Sequence, residues 1–101
     1  MKRYLLTETA EGELEEILFF IAERDGRGRA ERVLVRLLDA FDHLTSSPGI
    51  GHRKRRLTGG TLRWWPVYRF LILYDPEAEP LTVMRILHSS RDLDQIFSGE
   101  P

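Results

Sequence analysis

The chain has 101 residues, no cysteine and a formal net charge of −1. That length predicts one domain over residues 1–101, burying roughly 60% of its unfolded surface without a disulfide to help. A thiol nucleophile and any cysteine-containing metal site are excluded. A soluble cytoplasmic protein is expected, because "YLL" at residues 4–6 is too short for a secretory signal and no apolar run approaches the roughly 20 residues of a membrane span.

"KRYLL" (2–6) reads as a first short strand. Thr7 then has the position and chemistry of a helix N-cap, with Glu8 and Glu11 near the first turn, where carboxylates suit the helix dipole. Leu14, Ile17, Leu18 and Ile21 continue at helical spacing, predicting a helix over about residues 8–24 that "DGRG" (25–28) ends. Gly12 inside it is a local misfit of roughly 1 kcal/mol. A second helix is marked by Ala30, Val33, Leu34, Leu37, Leu38, Phe41 and Leu44, with Glu31, Arg32, Arg36, Asp39 and Asp42 on the other side and "SSPG" (46–49) as its stop. A loop of about four residues between the helices predicts an antiparallel hairpin that needs a sheet to cover its apolar faces.

"TLRWWPVYRFLILYD" (61–75) supplies a strand near 62–66 and another near 68–74, with Pro66 confining the first to an edge, bulge or turn. "PEAEP" (76–80) reads as a hairpin turn, and "LTVMRILH" (81–88) as the next strand. "SSRDLDQIF" (89–97) reads as a short terminal helix. The order is β-α-α-β-β-β-α. The fold class is α+β, with an N-terminal strand, an antiparallel helical hairpin packed on a small twisted antiparallel sheet, and a short C-terminal helix.

The near-neutral total conceals a segregation of charge. Residues 1–47 carry 7 Lys/Arg against 10 Asp/Glu, residues 48–74 carry 6 against none, and residues 75–101 carry 2 against 6. The middle block includes Arg53, Lys54, Arg55 and Arg56 in a row, then Arg63, Trp64, Trp65 and Arg69. Cations of this density meet phosphates or an acidic protein, and nearby indoles stack on bases or anchor a partner. A solvated polar loop is the competing reading of the run. For Arg69, predicted on the open face of a central strand, the competing reading is an ion pair with Asp92 or Asp94. Adjacent tryptophans on a strand face opposite sides, so one is expected in the core and the other is free to bind. His88, with Arg91 and Asp92 close by, has the chemistry of an acid–base group beside a phosphate-stabilising cation, or of a turn bracing a helix start. His43, His52 and His88 lack metal-ligand spacing, and no Gly-rich phosphate loop occurs, so neither metal nor cofactor is expected.

Four segments in register resemble the RelE/ParE superfamily of bacterial type II toxins, on the ParE side. They are "LTETAEGELEEILFFIAE" (6–23), "AERVLVRLLDAFDHLTSSPGIGH" (30–52), "LRWWPVYRFLILYD" (62–75) and "VMRILHSSRDLDQIF" (83–97). The resemblance implies a toxin that blocks DNA gyrase and is neutralised by a cognate antitoxin, whose extended C-terminal segment wraps it in a hetero-oligomer. The basic block and Trp64, Trp65, Arg69, His88 and Arg91 then become partner-binding candidates. RelE-like members instead cut messenger RNA in the 70S ribosome, a role that would fall here to Arg63, Arg69, His88 and Arg91. The tail "LDQIFSGEP" carries only Phe97 where RelE-like enzymes often present a proton-transferring side chain, which favours stoichiometric inhibition over catalysis. A degenerate member that only binds antitoxin is the third alternative.

Overall fold

In the computed structural model of the chain, residues 3–53 and 61–89 are described. Strand β1 (Tyr4–Leu6) leads into α1 (Glu8–Asp25), then α2 (Arg27–Ser46) and a single 3-10 turn at Pro48–Ile50. Strands β2 (Arg63–Val67), β3 (Phe70–Asp75) and β4 (Leu81–His88) follow. The fold is α+β, as the sequence pattern predicts. The short helix expected over 89–97 lies outside the described residues.

The four strands form one sheet in the order β1-β4-β3-β2. Hairpins join β2, β3 and β4, so these three alternate in direction. β1 runs parallel to β4, where an all-antiparallel sheet was expected. No hairpin ties β1 to β4. The helical connection sets its direction, as parallel neighbours require. β2 is an edge strand, which explains why Pro66 is tolerated: its missing N–H removes no ladder bond on the open side.

α2 buries Ala30, Val33, Leu37, Phe41 and Leu44, a stripe at spacings of three and four. This stripe meets Val67, Phe70, Ile72, Tyr74, Val83 and Ile86 from the sheet. α1 contributes a shallower face: Ala10 is fully buried, whereas Leu14, Ile17, Leu18 and Ile21 are half-buried against the same core. The two helices are separated by Gly26 alone, not by a four-residue loop. Its φ of 95° lies where a side chain is disfavoured, so the chain reverses in one residue and "DGRG" is otherwise absorbed into helix.

The junction of α1 with β4 organises the sheet. Pairing between β3 and β4 shifts register between Leu73 and Tyr74, leaving Met84 as an extra residue on β4. Thr7 grips this bulge: its N–H donates to the Val83 carbonyl at 3.0 Å, and its hydroxyl donates to the Met84 carbonyl at 2.8 Å. The same Oγ1 caps α1 by accepting from Ala10 N at 3.0 Å. Past the bulge β1 has ended, and Glu13 takes over. One carboxylate oxygen accepts from Ile86 N at 2.8 Å, and the other from Arg85 Nε and Nη2 at 2.9 and 2.7 Å. A side chain of α1 thereby serves as the missing strand.

Glu13→Ala removes the acceptor for a partly buried backbone N–H and for Arg85. A stability loss of about 1–3 kcal/mol is expected in urea denaturation. Glu13→Gln keeps one oxygen for Ile86 N and should lose less; equal losses for the two variants would contradict this division of roles.

Candidate functional site

The base of the basic loop is built around Tyr74. Its hydroxyl donates to the Pro48 carbonyl at 2.7 Å and accepts from Gly51 N at 2.9 Å, while the ring is fully buried. Gly51 sits against the hydroxyl end of that ring, and a Cβ there would overlap the phenol, so this position needs glycine for close approach. Arg63 Nη1 donates to the Gly51 carbonyl at 2.8 Å, and His52 pairs with Trp64 through two backbone bonds at 2.8 and 2.9 Å. The His52 ring lies 4.6 Å from Trp64 and stacks at 6.0 Å on Trp65. Both ends of the loop are therefore fixed before the chain reaches its cations. Arg53 is exposed at the loop's start; Lys54, Arg55 and Arg56 lie outside the described residues.

The tryptophans divide as expected. Trp65 pairs with Ile72 and packs on the core beneath the helices, whereas Trp64 pairs with Leu73 on the opposite face. Both retain partial exposure.

Arg69 is not on a central strand. It occupies the two-residue turn between β2 and β3, next to Tyr68, because the Val67–Phe70 pair closes the hairpin one step earlier than the apolar run implies. Its carbonyl accepts from Ser89 N at 2.7 Å. Asp92 and Asp94, the acidic partners considered for it, and Arg91 lie outside the described residues. His88 faces Phe70 edge-on at 5.6 Å and lines the same groove as Arg69. Arg63 sits at the far end of β2, about 13 Å of strand away from that turn. The groove thus gathers Arg69 and His88 but not Arg63.

This groove, of about 920 Å³, runs between α1, the start of α2 and the adjoining ends of β3 and β4. Phe20 and Phe19 stand on its α1 wall, 60% and 68% exposed. On the other side, Tyr68 is ringed by guanidinium groups. Arg29, Arg36 and Arg69 lie 5.6, 5.3 and 5.5 Å from its ring centroid, and Arg29 Nη2 donates to its hydroxyl. The sequence pattern alone did not single out Tyr68, Arg29 or Arg36. The available signal was the stripe Arg29, Arg32, Arg36, which repeats at helical spacing on one face of α2. Among the described residues no group of His, Asp and Glu could hold a metal ion.

With this geometry in view, comparison with known proteins is decisive. Residues 4–93 match the family model described as "ParE toxin of type II toxin-antitoxin system, parDE". The chain belongs to the ParE toxin family. Toxin ParE1 of Mycobacterium tuberculosis, in strains CDC 1551/Oshkosh and ATCC 25618/H37Rv, is 32% identical over 94 residues, covering 92% of this chain and 95% of the relative. A chain from the chromosomal ParDE TA system of P. aeruginosa shares the fold, with a TM-score of 0.71 at 14% identity, covering 84% of this chain and 92% of that one. A ParE protein is the toxin half of a two-component system, so an antitoxin is its protein partner. No helix among the described residues is long and apolar enough to cross a membrane.

Burial raises the Tyr74 hydroxyl above the ordinary tyrosine range, against smaller opposing effects from the Gly51 N–H and Arg63. The unfolded chain therefore ionises first. The contribution is complete below about pH 10 and lost as pH rises through the folded value, so stability should fall above about pH 10. Burial raises Tyr4 as well, with Asp42 adding to the effect. Tyr74→Phe leaves Gly51 N–H and the Pro48 carbonyl without this partner; a loss of about 1–3 kcal/mol and a shallower alkaline decline are expected in denaturation measured across pH. An unchanged midpoint would contradict the anchoring role.

Proposed function

We propose that this chain, acting as a single toxin domain, inhibits DNA gyrase by stoichiometric binding and is held inactive by a cognate antitoxin in a cytoplasmic hetero-oligomer. The observation that carries this reading is the family match, which spans residues 4–93 and so includes both helices and all four strands. The antitoxin's extended C-terminal segment has a surface suited to it. Phe19 and Phe20 offer apolar contact beside Arg24, whose guanidinium lies 6.0 Å from the Phe20 ring centroid and apart from the cluster on Tyr68, and aromatic anchors flanked by charge are typical of interfaces. Acidic residues on the partner would speed encounter and fix register. The exposed start of the basic loop at Arg53, with Trp64 on the sheet face away from the helices, forms a second surface for contact with the target.

The reading is tested by gyrase supercoiling with antitoxin-free protein. Inhibition that scales with the toxin-to-gyrase ratio, with linear DNA released when the enzyme is denatured, is expected, and equimolar antitoxin should abolish it. Unchanged supercoiling by folded protein would overturn the proposal. Codon-linked cuts in translated message would then assign the chain to ribosome-dependent cleavage, and absence of any growth defect would leave antitoxin binding as its remaining role.

A further inference from the structure

The cluster on Tyr68 concentrates positive charge. Three guanidinium groups lie within 5.6 Å of one ring centroid, each drawn to the ring by cation–π attraction while repelling the other two. Among the described residues, no carboxylate lies within 4 Å of Arg29, Arg36 or Arg69 to offset this. The start of α2 adds to the imbalance: its first turn has no acidic residue, and Gly26 gives no side-chain cap. At the centre, Tyr68 holds a φ of 56°, a left-handed conformation that costs a residue with a Cβ roughly 1–2 kcal/mol. The turn keeps the phenol fixed among the cations, and of the donor forks only Arg29's is engaged with it by a hydrogen bond. A left-handed backbone conformation and clustered positive charge converge on one exposed side chain, a combination that collects at binding sites.

The donors also indicate what kind of anion fits. Glu13 shows what a carboxylate takes in this protein: one guanidinium through two bonds, and one backbone N–H. Three converging guanidinium forks offer more N–H groups than the roughly four lone-pair sites of a carboxylate can accept. A phosphate group presents oxygens on several sides and is the anion that grouped arginines recognise. Arg29 and Arg36 are two helical turns apart, with Arg32 between them and also lining the groove, so the cationic stripe extends over about 10 Å. That length suits a polymer with repeated phosphates better than a single ion.

We infer that Arg29, Arg36 and Arg69, gathered on Tyr68, form a contact site for the phosphodiester backbone of a nucleic acid. It reads charge and spacing, not sequence, because Tyr68 is surrounded by cations and the arginines address phosphate. α2 and the β2–β3 turn build the site. It stands without the gyrase reading, and its test contains no gyrase, so either can fail alone.

The experiment is fluorescence anisotropy of the purified full-length chain with a labelled random-sequence DNA duplex, at about 50 to 200 mM salt. Affinity should fall linearly on a log–log plot. Arg36→Gln and Arg69→Gln should each weaken binding to all sequences alike and reduce the slope by about one. Arg36→Lys and Arg69→Lys should restore the slope, and circular dichroism should show all four variants folded. Inorganic phosphate should raise the thermal midpoint of the parent chain more than that of the Gln variants. Absence of binding at the lowest salt would overturn the site. An unchanged affinity and slope in the Gln variants, with loss on replacing Lys54, Arg55 and Arg56, would move the contact to the basic loop and overturn it equally. Competition by polyglutamate matching that by unlabelled DNA would show an acidic protein to be the ligand instead.

Discussion

Strand β4 has two long edges to satisfy, and one neighbour is only three residues long. β3 covers one edge along its length, but β1 reaches no further than Val83 on the other. An unpaired backbone donor beside the core costs more than a typical hydrogen bond contributes, so the remaining edge needs acceptors from elsewhere. They come from α1, through Thr7 at the bulge and Glu13 beyond it. This latch fixes where α1 crosses the sheet, and α2 follows because Gly26 leaves one residue for the reversal. The groove between the helical hairpin and the ends of β3 and β4 is a consequence of that placement.

Two anchors then sort the charged residues to different places. At one end, Tyr74 and Gly51 clamp the segment that begins the basic loop, with Arg63 spent on the Gly51 carbonyl. At the other, the tight turn of Tyr68 and Arg69 meets the arginine stripe of α2. A run that looks continuous in sequence, from Arg53 to Arg69, is divided in space into a loop base and a turn, each with its own neighbours. Among the described residues, the acidic side chains of α1 are used differently: Glu13 is structural, and Glu15 and Glu16 are exposed.

Much of the fold was legible because it is local. Thr7 announces a cap, the stripe from Ala30 to Leu44 announces a buried helical face, and Leu81–His88 carries its strand limits in composition. Three features were not legible, for a shared reason. The parallel partner of β1, the Thr7 grip on the Met84 bulge and the Glu13 latch depend on contacts between residues more than 70 positions apart, which no short pattern encodes. Arg69 lies in a turn although "YRFLILY" reads as one strand, because the positive φ at Tyr68 turns the chain at its first two residues. Of the residues singled out by type, the fold brings Arg69 and His88 to one groove, and the convergence of Arg29 and Arg36 on Tyr68 required the fold. The family resemblance rested on four segments in order, and the match over residues 4–93 confirms it.

The proposed inhibition of gyrase places the damage on the chromosome and leaves messages intact. The most direct measurement is to express the chain without antitoxin and map, in the same cells, DNA ends covalently attached to gyrase and the 5′ ends of messenger RNA. Gyrase-linked breaks are expected before growth stops, with message ends unchanged. Codon-spaced message cleavage on intact chromosomes would contradict it.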